Sequence, residues 1–296
     1  MVNGLRRMKL AGGIALAVGL GGCASLDFGG TGVMGERAAI LTRMGDYALS
    51  HGDPVTAISL YEQALALDPD AAQVRDRLAR MQQDVGASVS ALDTYRAAVD
   101  RSPDDPEALR RLGNALIAET YPERAMAYLQ RALAIRDTPE VRNSLGVALD
   151  LVGQHRLARE QYQAGIEVAP HNLDLRNNLA LSYALDGDYE TAVAIAGEIS
   201  HDPAATVRHR QTHALVLGLA GRDDEARMVA AMDLAPAQVA ANLDYYQLLR
   251  SIEPSAARAL AITGGMGAPE TVTTQVGFAF HSPADDSVML AALPQR

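Results

Sequence analysis

A period of 34 residues constrains this chain more than any other feature. "YEQALALDPDA" (61–71) and "YRAAVDRSPDD" (95–105) are alike and stand 34 residues apart, and "YQAGIEVAPHN" (162–172) matches both. "VRNSLGVALDLVGQ" (141–154) and "LRNNLALSYALDGD" (175–188) match each other at the same 34-residue spacing. Units starting at 38, 72, 106, 139, 173 and 207 give six copies, with one residue missing from the third. A unit this short cannot bury its apolar face alone, so neighbouring units must stack.

The matches fall where stacking demands them. Position 8 of the units is Gly45, Ala79, Gly113, Gly146, Ala180 and Ala214, and position 20 is Ala in all six, from Ala57 to Ala226. Small residues there let two helices approach closely. Bulky residues fill the complementary positions, with Leu78, Leu112 and Leu145 at position 7 and Tyr61, Tyr95, Leu129 and Tyr162 at position 24. Position 15 is Gly52, Gly86, Gly153, Gly187 and Gly221, suited to the left-handed turn that ends a first helix. The third unit has Thr120 there, followed by Pro122, which can open a second helix. Pro69, Pro103 and Pro170 close second helices, because proline cannot continue one. Ala196 and Ala230 replace the bulky residue in units five and six, so looser packing is expected there. The expected fold is all-α: about six helix–turn–helix units over 38–235 forming a superhelix with a concave groove. "DLAPAQVAANLDYYQLLRSI" (233–252) then supplies a capping helix at 236–252, with Val239, Leu243, Tyr246 and Leu249 at helical spacing. Residues 253–296, rich in Gly, Pro, Ala, Ser and Thr, read as a mostly disordered tail, with "TVTTQVGFAF" (271–280) as a possible strand.

The N-terminus carries a different signal. Arg6, Arg7 and Lys9 precede an apolar run, Leu10–Leu20, then Gly21, Gly22 and Cys23. This is the layout of a secretory signal peptide over 1–22, and the run is too short to span a bilayer. Cys23 is the only cysteine, so it can form no internal disulfide. "LGGC" resembles the bacterial lipobox. That resemblance implies lipidation at Cys23 and, with Ala24 rather than Asp after it, an outer-membrane anchor facing the periplasm. Residues 23–37, rich in Gly, read as a flexible tether.

Composition narrows the function. The chain carries a formal charge of −10, and removing the basic leader leaves it more acidic, which argues against nucleic-acid binding. Lys9 is the sole lysine, so the part after Cys23 has none for a Schiff base or phosphate loop. His209 and His213 stand at i and i+4, a spacing that can hold a metal, but no third ligand accompanies them; they read as exposed histidines. "DGDYE" (186–190) coincides with the turn of unit five, which accounts for its carboxylates. No nucleophile–base pair is visible, so the expectation is a scaffold that needs neither metal nor cofactor, not an enzyme.

The repeats resemble the tetratricopeptide repeat family, in which position 5 of each first helix faces the groove. By that resemblance Asn143 and Asn177 face it in consecutive units, with Asn114 and Arg110 in the unit before. Asparagine amides both donate and accept, which suits an extended peptide backbone. Two readings stand: the row binds a peptide, or it solvates an open groove and bonds to neighbouring helices. Peptide-clamp members of the family use a lysine-containing set, which is missing here. The lipobox, the repeats and the ending "DLAPAQVAANLDYYQLLRS" together resemble TadD-type lipoproteins of the Flp/Tad (tight adherence) pilus system. That resemblance implies a lipid-anchored scaffold with protein partners, assisting pilus secretion by piloting or stabilising the secretin. The alternative is a chaperone or scaffold lipoprotein for another envelope assembly process.

Overall fold

A computed structural model of the chain describes residues 30–264. Cys23, the signal and the first part of the tether, through residue 29, lie outside the described residues, as do residues 265–296 with "TVTTQVGFAF". The described residues form fourteen α-helices. Six pairs follow the repeat: α1 (Gly30–Ser50) with α2 (Pro54–Leu67), α3 (Ala72–Asp84) with α4 (Ser88–Arg101), and α5 (Pro106–Ala118) with α6 (Pro122–Ile135). They continue as α7 (Pro139–Leu151) with α8 (His155–Val168), α9 (Leu173–Leu185) with α10 (Tyr189–Ser200), and α11 (Val207–Leu219) with α12 (Asp223–Ala230). Two more helices follow, α13 (Pro236–Arg250) and α14 (Ser255–Gly264).

Local chemistry sets these boundaries. All five turn glycines adopt positive φ, between 75° and 87°, where an L side chain is strained. Thr120 takes the same turn at φ 60° without that freedom. Pro54, Pro106, Pro122, Pro139 and Pro236 each open a helix, where their missing N–H costs nothing. Asp53, Asn172 and Asp188 accept backbone N–H groups of the first turn as N-caps. Second helices α2, α4 and α8 stop two residues before Pro69, Pro103 and Pro170.

The small and large columns interlock within each pair. A Cβ added to Gly146 would lie 2.4 Å from Tyr162 Cε1, and one on Gly113 2.7 Å from Leu129 Cγ. Tyr61, Leu129 and Tyr162 are fully buried by this close approach. First helices of consecutive units touch one another, α5 with α7, α7 with α9 and α9 with α11, so they form the inner layer of the superhelix.

Three features differ from expectation. Helix α1 starts at Gly30, so part of the stretch read as a tether is helical. Second helices shorten along the array, to twelve residues in α10 and eight in α12, and Ala196 and Ala230 are nonetheless buried. The third is α14, which lies in the segment expected to lack structure. It touches α7 and α9, three and two units back, as well as α13. A solenoid unit ordinarily meets only its neighbours. Helix α13 behaves as expected of a cap: it packs on α11 and α12 and buries Val239, Leu243, Tyr246 and Leu249.

Candidate protein-binding groove

The inner layer divides into two halves of different character. In the N-terminal half, α3 buries a single stripe and leaves its other faces to solvent. Charges on these inner helices link successive units. Arg77 pairs with Asp46 at 2.5 Å, and the Tyr61 hydroxyl donates to the same carboxylate at 2.8 Å. Arg80 pairs with Asp76 at 3.0 Å, while Arg111 reaches both Asp76 and Glu107. Pairs this exposed add little stability. What they give is a polar, charge-balanced lining over units one to three.

In the C-terminal half the lining is closed. Every residue of α7 from Asn143 to Leu151 is buried, as is every residue of α11 from Gln211 to Leu219. A helix buried on all sides must be covered on its inner face too. Helix α14 supplies that cover over α7 and α9, and α13 supplies it over α11.

The four expected groove residues fall across this divide. Arg110 is only 6% exposed, and its Nε and Nη2 donate to Glu107 at 2.9 and 2.6 Å. Asn114 is half-buried on α5. Asn143, at 8% exposure, accepts from Asn178 Nδ2 at 2.8 Å, a bond from unit four to unit five. Asn177 is 1% exposed, and both its amide atoms lack a hydrogen-bond partner among the described residues. Asn143 and Asn177 are therefore buried beneath neighbouring helices, while Asn114 keeps partial exposure. His209 and His213, read as exposed, are buried as well. His209 Nδ1 accepts from the Thr206 backbone N–H at 3.1 Å, and Nε2 faces Asp174 at 3.2 Å. His213 lies 3.1 Å from the Ser200 hydroxyl, and burial lowers its pKa to about 4.

A polar cluster that sequence reasoning missed lies under α14. Asp150 on α7 is completely buried. Its Oδ1 faces His155 Nδ1 at 2.7 Å and accepts from Ser182 Oγ at 2.7 Å, and its Oδ2 accepts from Tyr162 at 2.9 Å. His155 Nε2 in turn faces Ser255 Oγ, at the start of α14, at 2.8 Å. Burial raises the carboxyl pKa, opposed by the hydrogen bonds from His155 and Ser182. A Ser–His pair thus exists after all, built from residues 100 apart in sequence. No local pattern signals it, because the partner of His155 arrives only when α14 folds back. With the Asp150 carboxylate shared among three partners, the cluster acts as an internal strut joining α7, α8, α9 and α14.

Among the described residues, nothing covers the outer end of unit one. Ile40, Met44 and Tyr47 are exposed and line an open pocket of about 530 Å³ with Thr56 and Leu60. They stand one repeat before Val74, Leu78 and Met81, which pack in the core between units one and two.

Comparison with known proteins places this geometry in context. Residues 38–81 match the tetratricopeptide repeat, and residues 77–140 and 144–200 match it again, together more than half of the chain. No curated protein sequence matches. Among solved structures, a tetratricopeptide repeat protein from Parabacteroides merdae is 15% identical with a TM-score of 0.61, covering 87% of this chain and 99% of that one. PilW, a widely conserved type IV pilus biogenesis factor, is 22% identical with a TM-score of 0.57, covering 66% of this chain and 91% of its own. PilF of Pseudomonas aeruginosa is 19% identical with a TM-score of 0.52, covering 68% and 90%. At such identities the likeness is one of fold.

Proposed function

We propose that this chain, which belongs to the tetratricopeptide repeat family, is a lipid-anchored envelope scaffold that assists assembly of the Flp/Tad pilus secretion machine by piloting or stabilising its secretin. The repeat fold suits it to protein–protein interaction. One observation carries the reading of how it binds: the superhelix leaves units one to three open, with an apolar end face at Ile40, Met44 and Tyr47 beside a charged inner lining. A soluble array would cover such a terminal face with polar residues. In sequence, α1 begins only seven residues after Cys23. A diacyl anchor there holds stably, since each buried CH₂ is worth about 0.8 kcal/mol and two chains exceed the threshold for lasting attachment.

The reading is supported further by the "LGGC" motif, the acidic mature chain and the ending 233–251. PilW shows that the same fold occurs in a pilus biogenesis factor. The test is genetic and biochemical. Cys23→Ser is expected to leave the repeats folded, to release the chain from the outer-membrane fraction, and to reduce secretin multimers and surface pili as a gene deletion does. Normal pili and secretin multimers in the deletion strain would remove the pilus role and favour another envelope assembly process. Unchanged membrane fractionation of the Ser variant would remove the anchor.

A further inference from the structure

We infer that the concave face over α7 and α9 is a binding site for a short helix, and that α14 is a built-in occupant which a partner helix of the same kind replaces. The inference rests on the reading of the chain as a protein-binding scaffold, and goes beyond it by naming a site and a ligand class.

The departure of α14 from repeat geometry is the first argument. A second helix normally packs along the first helix of its own unit, yet α14 makes its larger contact with α7 and α9. It therefore lies where the family's inner face is otherwise open. The second argument is the chemistry of the contact. The buried side of α14 is Ala-rich: Ala259 and Ala261 are fully buried beside Ile262, Leu260 packs partly on the core, and Ala256 lies 3.3 Å from where a Cβ on Gly153 would stand. One polar link fixes its start, Ser255 to His155. The ligand class follows: a helix of about ten residues with an Ala-rich face and a hydroxyl side chain in its first turn.

The third argument is that the occupant is weakly committed. A ten-residue helix is marginal by itself, and only Ile262 and Leu260 add large apolar side chains to the contact. It stays because it is tethered: Arg258 donates to the Leu249 and Ile252 carbonyls, and Tyr245 donates to the Ala261 carbonyl. A tether gives an effective concentration on the order of millimolar. A free helix must overcome that advantage, so its apparent affinity falls by the fraction of molecules with the site open.

The test uses the full mature chain and a fluorescein-labelled peptide of sequence Glu253–Gly264, read by anisotropy. Ala259→Glu places a charge where α14 is fully buried and should free the site. The variant is expected to bind the peptide at least tenfold more tightly than wild type, and adding His155→Ala should weaken that binding several-fold. A folded Ala259→Glu chain that binds no better than wild type would overturn the inference and make α14 a fixed cap. Hydrogen exchange on the wild-type chain gives an arm that needs no variant. Amides of α14 should exchange well before those of α7 and α9; exchange of all three together would also overturn it. The probe comes from the chain itself, so loss of the pilus role would leave this result standing, and the reverse holds too.

Discussion

Asn143 and Asn177 occupy the same position in consecutive units, but their carboxamides meet different surroundings. Asn143 accepts a bond from Asn178, whereas Asn177 is buried with both amide atoms unpaired among the described residues. Removing a bonded partner and leaving the other group buried costs about 1–3 kcal/mol, while removing an unpaired polar group relieves a desolvation penalty. Asn143→Leu should therefore lower the unfolding free energy by roughly 1–3 kcal/mol, and Asn177→Leu should leave it unchanged or raise it. Denaturant midpoints decide the matter, and equal losses in the two variants would contradict the assignment. Sequence alone put both residues on one row, because the repeat register fixes which side chains share a face. Whether that face met water depended on α14, a segment about 80 residues further along that falls outside the repeat register.

At the scale of helix pairs, the small and large columns were legible because each unit repeats the same steric requirement. The consequence differs from pair to pair. At Gly113 the obstacle to a Cβ is Leu129, whose Cγ, 2.7 Å away, belongs to an aliphatic side chain that no hydrogen bond holds in place and that can give by a shift of χ1. At Gly146 it is Tyr162, fully buried and held through its hydroxyl by Asp150 at 2.9 Å. Alanine in place of a helical glycine gains about 1 kcal/mol of helix propensity, and overpacking costs about 1–3 kcal/mol. Gly113→Ala should thus fall within about 1 kcal/mol of wild type as the two terms offset. Gly146→Ala should be clearly destabilising, since Tyr162 cannot yield without breaking its bond to a buried carboxylate. Thermal melts of the two variants compare them directly, and a more damaging Gly113→Ala would reverse the argument. The turn column shows the limit of such reading. Thr120 adopts the left-handed turn that glycine makes elsewhere, so the register imposed the conformation against the residue's preference.

At the scale of the described array, the repeat rule that each unit feels only its neighbours is broken by the fold-back of α14 onto α7 and α9. This makes the two ends of the array unequal. Unit one ends in an exposed apolar face, and damage there should stay local. The C-terminal end is closed by α13, where Tyr246 is fully buried against Gly218; a Cβ on that glycine would lie 2.4 Å from the ring. Tyr246→Ala should cost about 3–5 kcal/mol, as for other large aromatic truncations in cores. In a strictly nearest-neighbour array the loss of protection would fade from α11 and α12 toward unit one. Here α13 also carries α14, through Arg258 and Tyr245, so loosening α13 should release the cover over α7 and α9 as well. Hydrogen exchange of Tyr246→Ala is expected to show faster exchange in α11, α12, α7 and α9, with α1 to α4 close to wild type. Faster exchange confined to α11 and α12 would mean that α14 holds its place without α13. Uniform loss through α1 would mean that the array unfolds as a single unit, with no separable end.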